Sequence, residues 1–405
     1  MAATKRLVWL FWALSAVVGA AAQTVDEGDF SQTEIDSGNA LSQLNELAAS
    51  ASEETSGNLA KRGGSCGLGD IHVRREWRTL SKAQRTSYIN AVKCMKAAPS
   101  LFPPGQIGGA KSLFDDFIAI HIFQTGTIHN TGNFLTWHRY FIYTYEQKLR
   151  DVCGYQGPFP YWEWGLDVKN PAKSPVFDGS ATSLGGNGAY EHHDEGLWFK
   201  QQISGNLLKM QPGSGGGCVT TGPFQNLSIT FGRIVMLAYG SENFISDPDP
   251  INDNTRCLKR DLNAWVASRY TSFRNSTSLI LQNNDIEHFQ ALMQGDDRYV
   301  VGELGVHGGG HFTIGGDPGS DPFISPGDPA FYLHHAQIDR IYWIWQSLDF
   351  KNRQGVFGTN TLQNNPPSED TTVEDFIDIS PLAEPVKIKD LMNTVGGTPL
   401  CYIYL

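Results

Sequence analysis

Histidine placement is the feature of this sequence that could do chemistry. His121, His129 and His138 form a first series, spaced by eight and nine residues. A second series is His307-Gly-Gly-Gly-His311, followed by the pair His334-His335. Clusters made of imidazole alone suit copper, zinc, iron or nickel. The zinc-hydrolase pattern needs a Glu directly after its first histidine, and Gly308 stands there. Two trios of nitrogen ligands best fit a pair of copper ions, because both oxidation states accept imidazole and a trio leaves each metal an open face for O₂. His72, His192, His193 and His288 read as ordinary surface or structural histidines.

The elements that must position these rings are helical. Amphipathic patterns predict helices over 79–98, 113–123, 135–152, 256–272 and 285–294. A last helix starts at Asp328-Pro329, a cap followed by Pro at the first helical position, and runs to about Leu348. His121 then lies late on one helix, His129 in the loop after it and His138 at the start of the next. His307 and His311 share a face only if their segment is helical. Three glycines oppose that, each by about 1 kcal/mol relative to Ala, so tertiary contacts must hold the turn. Residues 154–188 are rich in Gly and Pro and read as loops; residues 360–405 are mixed, with little helix.

The 405 residues are 40% hydrophobic and 18% charged, enough for one large core. The net charge of −11 and the lack of a basic stripe argue against a nucleic-acid partner. Beyond the first residues no apolar run is long enough for a membrane span. Residues 1–22 have the order of a signal peptide: Lys5-Arg6, an apolar stretch, then small residues. Residues 23–62 hold eight acids and one aromatic, Phe30, and read as a disordered propeptide. They end at Lys61-Arg62, which suits a processing protease. Residues 63–405 are then the catalytic domain of a secreted protein. Six cysteines allow fifteen pairings, of which Cys66–Cys401, Cys94–Cys153 and Cys218–Cys257 are expected. Asn226 and Asn275 head N-glycosylation sequons and should be exposed if used.

The motifs resemble those of fungal short tyrosinases and catechol oxidases, the type-3 copper polyphenol oxidases. His121…His129…His138-Arg-Tyr-Phe is similar to the family's first copper motif. His307-x-x-x-His311 with Asp328-Pro-Ala-Phe-Tyr-Leu-His-His335…Asp339-Arg340 is similar to the second, and Pro160-Tyr-Trp-Glu-Trp164 to a third element. The resemblance implies a mainly α domain with long loops and few short strands, its four-helix core holding two copper ions. His121, His129 and His138 would hold one ion; His307, His311 and His335 the other, with His334 a neighbour. O₂ would be the co-substrate and a small phenol the partner. Tyr402-Ile-Tyr404 resembles the element that closes the family's catalytic domain, with no lid domain after it, so any latency would have to come from residues 23–62.

The resemblance also assigns finer roles. Glu303 matches the family's water-holding glutamate, with a surface carboxylate as its alternative. Gly308 stands where many tyrosinases carry Asn, so oxidation of o-diphenols to o-quinones should exceed hydroxylation of monophenols. A full tyrosinase and a haemocyanin-like O₂ carrier are the alternatives. Phe312 could stack on a phenol ring, and Pro322 (or Phe323 after a one-residue slip) falls at a gate position. Asp339, one turn beyond His335, could accept that ligand's ring N–H or partner a buried Arg. Thr127 replaces the cysteine that many members crosslink to the second histidine, leaving His129 untethered.

Overall fold

The computed structural model describes residues 25–60 and 66–405. The predicted signal peptide and the dibasic pair lie outside them. Eleven helices order the described chain: α1 (Gln32–Ser37), α2 (Asn39–Ala60), α3 (Lys82–Ala97), α4 (Leu113–Ile128), α5 (Phe134–Asp151), α6 (Ala264–Tyr270), α7 (Phe273–Gln282), α8 (Ile286–Gln294), α9 (Gly305–Ile314), the single turn α10 (Gly316–Gly319) and α11 (Ala330–Leu348). The architecture is mainly helical with short strands, as the motifs imply.

Local chemistry starts the helices where expected. Ser81 caps α3 in a reciprocal box with Gln84, and Ser112 caps α4 by accepting from Asp115 N–H. Asp328 accepts from Ala330 N–H at the start of α11 and binds both arms of the Arg260 guanidinium at 2.7 Å. The α11 helix is buried on all sides from Ala330 to Gln346, its polar residues included. It packs against α5, α9 and α7. One parallel sheet closes the far side: His72–Glu76 pairs with Tyr402–Tyr404 and with Pro160–Tyr161. The disulfides are Cys66–Cys401, Cys94–Cys153 and Cys218–Cys257.

The acidic N-terminal segment departs from expectation. Its composition predicts disorder over 23–62, yet over its described part the segment forms α1 and α2, and α2 lies along α11. Its apolar face is Ala40, Leu41, Leu44, Ala48 and Ala49, all buried. Small residues give that face little hydropathy but let the helices approach closely. Its buried polar residues are all paired. Asn45 donates to the Tyr404 carbonyl at 3.0 Å and accepts from Arg340 Nε at 2.8 Å. Ser52 Oγ accepts from the Trp343 indole, and Ser56 donates to the Cys66 carbonyl. Composition cannot show that these polar groups have buried partners waiting.

Two further expectations change. The pattern over 256–272 resolves into a strand pair at Arg256–Cys257 and the shorter α6, and α7 follows unanticipated. The sequons also differ: Asn226 is exposed, whereas the Asn275 side chain accepts from Ser272 N–H in the capping box of α7 and Thr277 is buried. Asn275 is therefore half-buried, where its sequon suggests an exposed position.

Candidate metal centre

Four helices deliver the histidines. α4 carries His121, its C-cap is His129, α5 carries His138, α9 carries His307 and His311, and α11 carries His334 and His335. The rings of the first trio lie 5.2–5.8 Å apart between centroids. Each Nδ1 meets a backbone carbonyl: His121 that of Phe323 at 2.9 Å, His129 that of Thr125 at 3.1 Å, and His138 that of Phe134 at 2.8 Å. A carbonyl can only accept, so each Nδ1 bears the proton and each Nε2 keeps a lone pair. The Nε2 atoms of His121 and His138 are buried without a partner.

The second trio converges more tightly. His311 Nε2 lies 3.2 Å from His307 Nε2 and 3.1 Å from His335 Nε2. Three neutral rings satisfy these contacts poorly, since the single Nε2 site of His311 must serve both of them. A cation among them resolves the conflict. The trios face each other: His138 stacks on His335 at 4.6 Å, and His129 lies 5.8 Å from His307. His334 also brings a ring nitrogen to the second group, but its ring packs against Trp164 and His311.

Burial makes all these rings poor bases. Desolvation pushes His121 down to about 3 and His129 to about 4, with neighbouring imidazoles adding to it for His121. His138, His307, His311 and His335 fall well below the ordinary value for the same reason, with further lowering from nearby rings. Neutral imidazoles with free Nε2 lone pairs are the form a metal takes. The donor set fits a pair of copper ions, one per trio.

The glycines of α9 explain how that helix exists. A Cβ on Gly310 would fall 2.1 Å from His334 Cε1, and one on Gly309 would fall 2.5 Å from Tyr270 Cβ. Close approach to α11 and α6 therefore requires both. Gly308 is different: a Cβ there meets only Leu304, at 3.4 Å or more.

The remaining sequence candidates fall around this centre unevenly. Phe312 is half-buried beside Phe199, 6.1 Å away, on a hairpin that the sequence does not single out. Glu303 is half-buried, and burial raises its carboxyl above the usual range. Its main-chain carbonyl accepts from Gln201 at 3.2 Å. Its carboxylate has no hydrogen-bond partner among the described residues. Pro322 is exposed; the adjoining Phe323 is half-buried and supplies the carbonyl that orients His121.

Asp339 does not hydrogen-bond His335, whose Nδ1 has no partner. Its carboxylate instead accepts from Arg139 Nε at 2.6 Å, Arg74 Nη1 at 3.2 Å, Tyr402 at 2.7 Å and Tyr404 at 2.6 Å. Two buried guanidinium charges attract a carboxylate more strongly than one neutral imidazole does. The sequence admits an Arg partner but cannot name Arg74 or Arg139. Nor can it locate the three backbone carbonyls, which carry no residue-type signal.

This fold and this paired imidazole site define a type-3 copper oxidase of the tyrosinase kind. Residues 111–348 match the common central domain of tyrosinase, and the chain belongs to that family. It is 37% identical over 334 residues to tyrosinase P of Aspergillus terreus, covering 82% of this chain and 91% of that one. It is 34% identical over 361 residues to the N-acetyl-6-hydroxytryptophan oxidase ivoB of Emericella nidulans, covering 84% and 93%. A solved glycine-to-asparagine mutant of a polyphenol oxidase from Thermothelomyces thermophila superposes with a TM-score of 0.83 at 39% identity, covering 91% of this chain and 98% of that one.

Proposed function

We propose that this chain is a secreted polyphenol oxidase that converts o-diphenols and related o-aminophenols or hydroxylated aryl substrates to quinone-type products, with weaker hydroxylation of monophenols. The observation that carries this reading is the pair of facing imidazole trios, each with its ring nitrogens gathered within 4.8 Å of one another. Bound there, two copper ions supply two-electron exchange between O₂ and an aromatic diol.

The chain's own residues do the rest. The carbonyls of Thr125, Phe134 and Phe323 hold the first trio in one tautomer. Phe134, Trp137 and Phe331 lie against the rings and exclude water. Glu303, raised by burial, accepts the substrate hydroxyl proton at its carboxylate. Phe312 presents a face on which a phenol can stack. Open space at Gly308 admits substituted rings and leaves out an amide that would help Glu303 deprotonate monophenols. Three disulfides suit the oxidising route that the leader sequence implies.

The test is a panel of mono-, di-, amino- and methoxyphenols, with a hydroxylated indole, on the copper-loaded protein. Catechols should turn over fastest. Gly308→Asn should raise the monophenol-to-diphenol rate ratio, and an unchanged ratio contradicts the role given to Gly308. Oxygenated protein that leaves catechol unoxidised would instead indicate an O₂ carrier.

A further inference from the structure

His129 is the one metal-site histidine in a loop, after α4 ends and before α5 begins. The residue that crosslinking would require is Thr127, whose hydroxyl turns outward to the Gln124 carbonyl. Yet the loop after His129 is held at several points. Asn130 takes the left-handed conformation, φ +48°, which Asn tolerates better than most residues. Its N–H donates to Gln294 Oε1 of α8 at 2.7 Å, and its carbonyl accepts from Gln363 N–H at 3.2 Å. Gly132 N–H donates to the Thr359 carbonyl at 3.0 Å, where a Cβ on Gly132 would lie 2.5 Å from Thr371 Cβ. Buried Gln290, one turn before Gln294, donates to the Phe357 carbonyl. The Gln294 amide is itself fixed, its Nε2 donating to the Gln290 carbonyl at 3.3 Å.

We propose that α8 clamps the His129 loop without a covalent bond, and that Gln294 is a positioning residue for this copper ligand. The inference rests on the copper reading of the site. Asn130 follows His129 directly, so fixing its amide sets where the His129 Cα stands and where Nε2 points. The reach is specific: an acceptor must project from α8 to an N–H that no helix or strand satisfies. Gln and Glu supply that acceptor; a side chain of equal length without oxygen does not.

The test compares Gln294→Met with Gln294→Glu in the full-length, copper-loaded protein. Copper release into excess chelator is followed alongside amide exchange of residues 129–132 in the metal-free protein. The clamp predicts that Gln294→Met releases one of its two coppers about 10-fold faster than wild type, because one half-buried N–H loses its acceptor. A one-copper intermediate should accumulate, and exchange at residues 129–132 should quicken. Gln294→Glu should restore both. Should the Met variant fail to fold, Gln294→Ala gives the same comparison. Unchanged release of both ions, or equal acceleration of both with a matching fall in the metal-free unfolding midpoint, would overturn the proposal. If wild type binds fewer than two coppers, the copper reading fails, and amide exchange alone still decides whether the clamp exists.

Discussion

Three neighbouring glycines in one helix should respond to the same substitution with opposite signs. Ala is worth about 1 kcal/mol over Gly in a helix interior. At Gly308 nothing opposes that gain, since the new Cβ would sit at ordinary contact distance from Leu304. At Gly310 it would lie 2.1 Å from His334 Cε1 and 2.3 Å from its Nδ1, far inside contact. At Gly309 it would meet Tyr270 Cβ at 2.5 Å, an atom next to backbone that cannot swing away. Overpacking costs about 1–3 kcal/mol, so Gly309→Ala and Gly310→Ala should lose up to about 2 kcal/mol after the helix gain. The gap from Gly308→Ala is then up to about 3 kcal/mol, or up to roughly 100-fold in the unfolding constant. Urea unfolding of the metal-free variants measures it. Gly310→Ala should also lower copper uptake at the second trio, because His334 is wedged against His311 and His335. Equal midpoints for Gly308→Ala and Gly310→Ala would refute the packing argument.

Asp339→Asn should cost about 3–5 kcal/mol, because Arg139 would be left as a buried, uncompensated charge and Arg74 would keep only Glu146; Asp253→Asn, which breaks an exposed pair with Lys111, should change stability by under about 1 kcal/mol. Urea midpoints of the two variants compare them directly. Asn45→Ala should destabilise by about 2 kcal/mol by orphaning Arg340 Nε and the Tyr404 carbonyl, and no change in the urea midpoint would mean that α2 does not lie on α11. The metal-free protein should weaken in acid. Below about pH 6.5 the unfolded histidines bind protons that folded His121 and His129 refuse until about 3 and 4. Stability should therefore fall with pH across that window, by up to about 1.4 kcal/mol per pH unit for each such ring; a midpoint constant from pH 7 to 5 would contradict the burial of the trios.

The sequence discloses the candidate ligands because metal chemistry is written in residue type. Six histidines at helical and loop spacings, with Asp328-Pro329 opening α11, mark the site without any geometry. Side-chain identity is less informative where the partner is distant. Asp339 sits one turn past His335, and spacing alone makes it an acceptor for that ring. The charges that capture it, Arg74 and Arg139, come from a strand and a helix far away in the chain. The α2 helix is hidden for a related reason. Its buried face is mostly Ala, and Asn45, Ser52 and Ser56 look solvated until Arg340, Tyr404, Trp343 and the Cys66 carbonyl appear opposite them. The glycines at 308–310 disfavour a helix by propensity, and the close approach of His334 and Tyr270 outweighs that preference.

The most direct test of the central claim is the copper content of the purified, metal-loaded protein, measured with the His138→Ala and His335→Ala variants. Two facing trios predict two copper ions per wild-type chain and loss of one trio's ion in each variant, with catechol oxidation abolished in both. A wild-type chain holding a single ion, or keeping both ions after either substitution, would contradict it.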